Sequence, residues 1–287
     1  MYLHFDLLSE IFDVIKSGRV FKQILSLNKN WYNTYNKEGI LSIYTNQLLT
    51  LLKLYPDKDW NWESLSCNPN ITWEFIQNNP GLPWNIRNIS WNPNITWNII
   101  TSNLDYEWDW RGLSCNPNIT WEIIRDNPEY RWNWYNISWN PNITWDIMTS
   151  NPDKDWNWDN ISNNPNIEWD IITNNPDYKW NWCRISQHPN ITWDIILNNF
   201  SKFNGWWYIS RNPNITWEII RDNPDYSWDW RSISSNPSIT PKIIYDNPSY
   251  PWDWRHISNN PNITWKIIRD NPDYWWSWEM ISRNKFR

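Results

Sequence analysis

The side chains able to do covalent chemistry are few and scattered. Cys67, Cys115 and Cys183 are the only cysteines in 287 residues, and His4, His188 and His256 the only histidines. An odd number of widely spaced cysteines gives neither a disulfide framework nor a CxxC metal site. Such thiols fit a reduced, intracellular protein. No His/Cys/Asp cluster has zinc spacing. Five glycines, with no GxGxxG or Walker pattern, leave no loop to cradle a phosphate. Asp109, Asp229 and Asp253 each stand between two tryptophans, a recurring setting that suits solvated or helix-capping carboxylates. One serine recurs in ten copies from Ser66 to Ser282. No base accompanies it in a parallel column, so it is not a nucleophile. These residues argue against an enzyme and against any resident cofactor or metal.

The chemistry that remains is non-covalent, and its material is aromatic. The chain holds 31 tryptophans, 14 tyrosines and 20 prolines, with net charge −6. That acidity counts against nucleic-acid and anionic-membrane partners, which call for a basic face. Asp6, Glu10 and Asp13 interrupt the start of the chain where a signal peptide needs an apolar run. No stretch approaches the roughly 20 apolar residues of a membrane span. The expectation is a soluble, cytoplasmic monomer.

A strict 24-residue period positions these aromatics. Asn-Pro recurs at Pro69, Pro93, Pro117, Pro141, Pro165, Pro213, Pro237 and Pro261, and His188-Pro189 keeps the phase. Trp-x-Trp pairs and a third tryptophan column, Trp73 to Trp265, keep the same step. Together these columns take 26 of the 31 tryptophans, which predicts ladders in a continuous core rather than exposed stacking platforms. The small serine lets successive coils approach, and its hydroxyl can satisfy a carbonyl near the turn.

Within a unit, Thr120 occupies a helix N-cap position before Trp121-Glu122-Ile123-Ile124. Pro241 replaces the column tryptophan directly after Thr240, as suits the first position of a helix. Asn127-Pro128 ends that helix after about seven or eight residues, since the residue before proline leaves the α region. The segment Trp108 to Ser114 is a second short element, α-helical or 3₁₀, with helix favoured. One unit cannot bury enough apolar area to offset the ordering of its own backbone, so each needs neighbours. The rival leucine-rich horseshoe needs an alternating strand that no segment supplies.

The frame Trp110-Arg111-x-Leu113-Ser114-x-Asn116-Pro117-Asn118-x-Thr120-Trp121-x-Ile123-Ile124 resembles the leucine-rich repeat variant family over roughly residues 60 to 287. Thr240-Pro241 restores that family's Thr-Pro. Tryptophan replaces its small aliphatics, serine its alanine, and the iron–sulfur cysteines found beside some such repeats are absent. The resemblance implies an all-α solenoid of alternating α- and 3₁₀-like helices in a right-handed superhelix. The tryptophan-rich NPNITWEII arrays are also similar to uncharacterised repeat proteins of giant DNA viruses, which would place the protein in a host cell's cytoplasm.

Residues 1–40 lie outside the period. Leu7, Leu8, Ile11, Phe12 and Ile15 mark an amphipathic helix. Val20, Phe21, Ile24 and Leu25 mark a second, and Leu27-x-Lys29-x-Trp31 opens a third. With Leu3 and Glu10 this segment resembles an F-box, although His4 stands at the family's proline and Asp6 at its glutamate. That resemblance implies a Skp-type adaptor of a cullin ligase as partner, bound through Leu3, Leu7, Leu8, Ile11 and Phe12. A plain helical cap is the alternative. Residues 41–59 align one period before the first full unit, with Leu49, Leu51 and Leu52 in the columns of Trp73, Phe75 and Ile76. They are expected to form a capping half-repeat ahead of the solenoid at 60–287. The pattern loosens near 200–208, where a kink or bulge is expected.

Columns that vary between units offer a surface for an unidentified protein target. Trp91, Arg111, Tyr135, Trp139, Trp207, Arg231, Tyr245, Arg255 and Trp275 are its candidates, because exposed Trp, Tyr and Arg are the usual interface anchors. Neutral drift on a solvated face gives the same variability. The expected function is target recruitment to a cullin-type ubiquitin ligase. The alternatives are a scaffold without ubiquitin chemistry and a binder of glycans or single-stranded nucleic acid through exposed aromatics.

Overall fold

The structure is a computed structural model that describes residues 46–203 and 205–286. The residues expected to hold an adaptor, Leu3, Leu7, Leu8, Ile11 and Phe12, lie outside the described residues. Among the described residues there are twenty short helices and no strand. Two kinds alternate. Odd-numbered helices begin with α1 (Gln47–Leu54), α3 (Trp73–Asn78) and α5 (Trp97–Ser102) and continue to α17 (Pro241–Asp246) and α19 (Trp265–Asp270). Even-numbered helices begin with α2 (Trp62–Ser66), α4 (Ile86–Ile89), α6 (Trp110–Ser114) and α8 (Trp134–Ile137). They continue through α14 (Trp206–Ile209), α16 (Trp230–Ser235) and α18 (Trp254–Ile257) to α20 (Trp278–Ile281). The segment that sequence left between α and 3₁₀ is therefore α-helical.

Local chemistry fixes both kinds. In α3 the Thr72 hydroxyl accepts from the Phe75 amide, and Pro241 opens α17 after the cap Thr240. Between the paired tryptophans, Asn61, Asn133, Asp229 and Asp253 cap the even helices in the same way. The asparagine before proline closes the odd helices: the Asn79 side-chain amide donates to the Phe75 carbonyl at 2.8 Å. That asparagine's own carbonyl then accepts from the indole of the first Trp of the next pair, as from Trp84 at 2.9 Å.

The centre of the core is aliphatic rather than aromatic. Ile71, Ile95, Ile119 and Ile143 are fully buried, as are Leu65, Leu113 and Ile137. Most column tryptophans are half-buried and pack around this centre; Trp60, Trp108, Trp180, Trp217, Trp228 and Trp265 are the buried ones. Indole is too wide to fit wholly between coils this close, so the rings flank the isoleucines and contact each other edge to face. Trp110 and Trp132 lie 5.1 Å apart at 89°.

Units are joined by buried hydrogen bonds. The column serines sit at coil crossings: Ser66 accepts from the Asn85 amide at 2.9 Å while its hydroxyl donates to the Trp62 carbonyl at 2.7 Å. The asparagine of Asn-Pro is buried too. The Asn92 side-chain amide donates to the carbonyls of Ser66, Asn68 and Ile71, all in the preceding unit. His188 substitutes in this ladder, its Nε2 lying 2.8 Å from the Asn164 carbonyl.

The two ends of the array meet. The Asn61 amide donates to Ser282 Oγ at 3.0 Å, and the Asn68 side chain donates to the carbonyls of Ser282 and Asn284. Asn70 donates to the Lys285 carbonyl, and the Trp265 amide to Gln47 Oε1. All but the last of these are the bonds that join internal units to one another, shifted by ten periods. Helix α1 packs against α19 on one side, while Asn46 reaches the Asn70 carbonyl on the other. The expected capping half-repeat, whose Leu48, Leu49 and Leu51 are buried, is thus the odd helix that completes the unit begun by α20. A superhelix is a spiral with free ends; the contacts among the described residues instead join the ends into a ring. Even helices pack closely on one another at α2–α4, α6–α8, α12–α14 (α12 being Trp182–Ser186) and α16–α18, and odd helices do so only at α1–α19 among the described residues, so the even helices are taken as the inner layer.

Near 200–208 the expected irregularity is a one-residue slip. Phe203 is buried and meets Trp182 edge on at 5.6 Å, replacing the first Trp of the pair. Gly205 precedes α14 without a side-chain cap.

Candidate functional site

The inner layer gathers seven of the nine partner-binding candidates. Arg111, Tyr135, Trp207, Arg231 and Arg255 project from even helices and are exposed, and Trp91 and Trp139 follow one turn beyond α4 and α8. The other two stand elsewhere. Tyr245 lies on the odd helix α17, 6.5 Å from Tyr274, and Trp275 lies in the loop before α20. Trp275 is 81% exposed, the most open large apolar side chain described.

Two clusters form on the inner layer. In the first, Arg87, Asn88, Trp91, Asp109, Arg111, Asn133, Tyr135 and Asn136 line one shallow groove across α4, α6 and α8. Arg111 forks onto Asp109, with Nε to Oδ1 at 3.0 Å and Nη2 to Oδ2 at 2.9 Å. This hydrogen-bonded pair, aided by the Arg111 amide and the charge of Arg87, holds the Asp109 carboxyl below its usual range. A Cβ at Gly112 would lie 2.6 Å from Cδ1 of Trp91, so the indole lies across the α6 backbone where only glycine leaves room. In the second cluster the Arg211 guanidinium stacks 4.6 Å above Trp207, which meets Tyr208 edge on. Arg184 stands 5.8 Å over Tyr208.

The charge of this layer opposes that of the chain. Its even helices and their next residues carry Arg87, Arg111, Arg184, Arg211, Arg231, Arg255 and Arg283 against Glu63, Asp159 and Glu279, and no lysine. Adding the capping acids Asp109, Asp229 and Asp253 still leaves it positive, in a chain of net charge −6. Near the junction of the ends, Arg255 and Arg283 both pair with Glu279, at 2.7 and 3.2 Å.

Arg87, Arg184, Arg211 and Gly112 join these clusters without having been among the candidates that column variation offered. The signal for Gly112 was its singularity, since the other units carry a side chain in that column. The serine column behaves as a structural device in every junction described above. Burial pushes the Cys115 thiol up to about 12 and raises that of Cys67, so neither is poised as a nucleophile. Among the described residues no group of His, Cys, Asp and Glu could hold a metal ion, and no helix is long and apolar enough to cross a membrane. No protein-family model, no curated protein and no solved structure matches the chain.

Proposed function

We propose that the chain is a non-enzymatic interaction protein that recruits a protein target to a cullin-type ubiquitin ligase. The inner layer of the repeat array is the target surface. The observation that carries this half is the concentration of exposed Trp, Tyr and Arg on one layer of a rigid scaffold, the side chains that dominate protein interfaces. The other half rests on the F-box resemblance of Leu3 to Trp31, which supplies a Skp-type adaptor as the second partner and the cytoplasm as the place of work. A scaffold without ubiquitin chemistry is the second reading. It is favoured by the same inner layer, which needs nothing from residues 1–40.

Capture of a Skp-type adaptor by the full chain separates the two. The ligase reading expects capture, and loss of it in Leu8→Asp, Ile11→Asp and Trp31→Ala. Capture that is equally strong in all three variants, or none by the parent chain, removes the ubiquitin role and leaves the scaffold.

A further inference from the structure

We infer that the groove over α4, α6 and α8 binds an extended acidic peptide segment, whose carboxylates pair with Arg87 and Arg111 and whose apolar side chains lie between Trp91 and Tyr135. This rests on reading the inner layer as the target surface and does not depend on the ubiquitin half of that reading.

Three observations support the occupant. The first is charge complementarity. Arg87 and Arg111 both line the groove. Arg111 is held by Asp109 through Nε and Nη2 and keeps its Nη1 donors, while Arg87 acts on Asp109 through its charge without a hydrogen bond or close ion pair among the described residues, so the two guanidiniums outnumber the one carboxylate. A planar guanidinium held this way is preorganised for a second carboxylate. The second is the aromatic wall. Trp91 lies flat across α6 because Gly112 offers no side chain there, and Tyr135 stands exposed one unit further on. These two aromatic side chains offer apolar surface beside the guanidiniums for the apolar side chains of such a segment. The third is the groove's length. Three helices at about 8–10 Å spacing accommodate about eight extended residues.

A nucleic-acid strand fits these groups less well. Its phosphates need cations in an unbroken track, but the groove holds two guanidiniums and its own carboxylate, Asp109.

Fluorescence anisotropy on the full chain tests the inference with three labelled probes: a peptide of about eight residues repeating Glu-Ser-Phe-Ser, which puts Glu and Phe on one face of an extended strand, its Lys-for-Glu counterpart, and oligothymidylate. The Glu peptide is expected to bind, more weakly as salt rises, and the Lys peptide is not. Arg87→Glu should weaken binding by about tenfold or more. Gly112→Ala should displace the Trp91 ring and weaken binding several-fold, with helical circular dichroism unchanged. Absence of Glu-peptide binding overturns the inference. So does Glu-peptide binding that survives Arg87→Glu, equal binding of the Lys peptide, or preference for oligothymidylate. Adaptor capture is read in the same variants. Its persistence when peptide binding fails isolates the loss to the groove, and its failure with peptide binding intact isolates the loss to residues 1–40.

Discussion

An internal junction and the junction of the two ends use the same kinds of bond, and the chief difference between them is covalent. Between α2 and α4, Ser66 accepts from Asn85, Asn92 donates to Ser66 and Asn68 carbonyls, and Asn94 donates to Pro69. Where the ends meet, Ser282 accepts from Asn61, Asn68 donates to Ser282 and Asn284, and Asn70 donates to Lys285. The internal junction is also spanned by the chain. The terminal junction is held by these side chains, by the Arg283 and Gln47 side chains on Ser64 and the Trp265 amide, by the packing of α1 on α19, and by Trp60, Tyr55 and Lys58 on Trp278. The join between units is thus encoded in side chains and does not need covalent continuity, the nearest-neighbour logic expected of repeat arrays.

Deleting one amide on each side of this comparison gives the largest effects. Asn92 is fully buried and serves three carbonyls of the preceding unit. Asn92→Ala leaves all three without that donor, and an expected cost of about 3 kcal/mol should appear as a lower denaturant midpoint for the array. Asn68→Ala removes two such bonds at the terminal junction, an expected cost of about 2 kcal/mol. There the outcome differs in kind: the ends part while the units stay folded. Small-angle scattering should then show an expanded particle with unchanged helical circular dichroism. A compact Asn68→Ala particle would mean that the terminal junction does not depend on the ladder.

The ladder has one imperfect rung, and repairing it is a smaller effect of opposite sign. His188 makes one contact to the preceding unit's backbone, to the Asn164 carbonyl, and its other nitrogen lies 2.9 Å from Asn190 Oδ1. Asn212, one unit on, reaches the carbonyls of Ser186, His188 and Ile191. His188→Asn restores the amide and is expected to raise stability by about 1 kcal/mol, measured by chemical denaturation. A loss would show that the imidazole's volume contributes more than the missing bonds.

Much of this architecture was legible in the sequence because its causes are local. Thr72 and Pro241 announce helix starts, Asn127-Pro128 an end, and the serine column a close crossing, each through the residue's own geometry. Ring closure was not legible, because curvature accumulates from small rotations between units that no single residue encodes. The alignment of Leu49 with Trp73 was visible, yet it reads equally as a free cap or as the missing half of the tenth unit. The depth of the tryptophans was misjudged for a physical reason. Periodicity reports which side a residue faces, whereas an indole's width decides how far in it goes, and the core centre fell to isoleucine. The partner surface was half legible: variation marked the columns around Arg111 and Tyr135, but only the packing of even helices separates them from Tyr245 and Trp275.

The finest test of the comparison lies in the column that stacks on the second tryptophan of the preceding pair. Tyr130 stacks on Trp110 at 4.4 Å and Tyr178 on Trp158 at 4.5 Å. In three junctions a lysine takes that place: Lys154 with Nζ 5.7 Å over Trp134, Lys58 with Nζ 5.8 Å over Trp278, and Lys202, in the slipped unit, with Nζ 4.6 Å over Trp182. The first is internal and the second joins the ends. An exposed cation–π contact is worth about 0.5–1 kcal/mol, and an aromatic pair gains about as much again from the area it buries. Lys154→Tyr is therefore expected to stabilise the array by a few tenths to about 1 kcal/mol. If the ends are joined in solution as an internal junction is, Lys58→Tyr gains the same amount and slows hydrogen exchange at Asn61 and Asn68. A gain from Lys154→Tyr with none from Lys58→Tyr would mean that ends able to meet spend their time apart, because a stacking partner contributes only while the ring opposite is in reach.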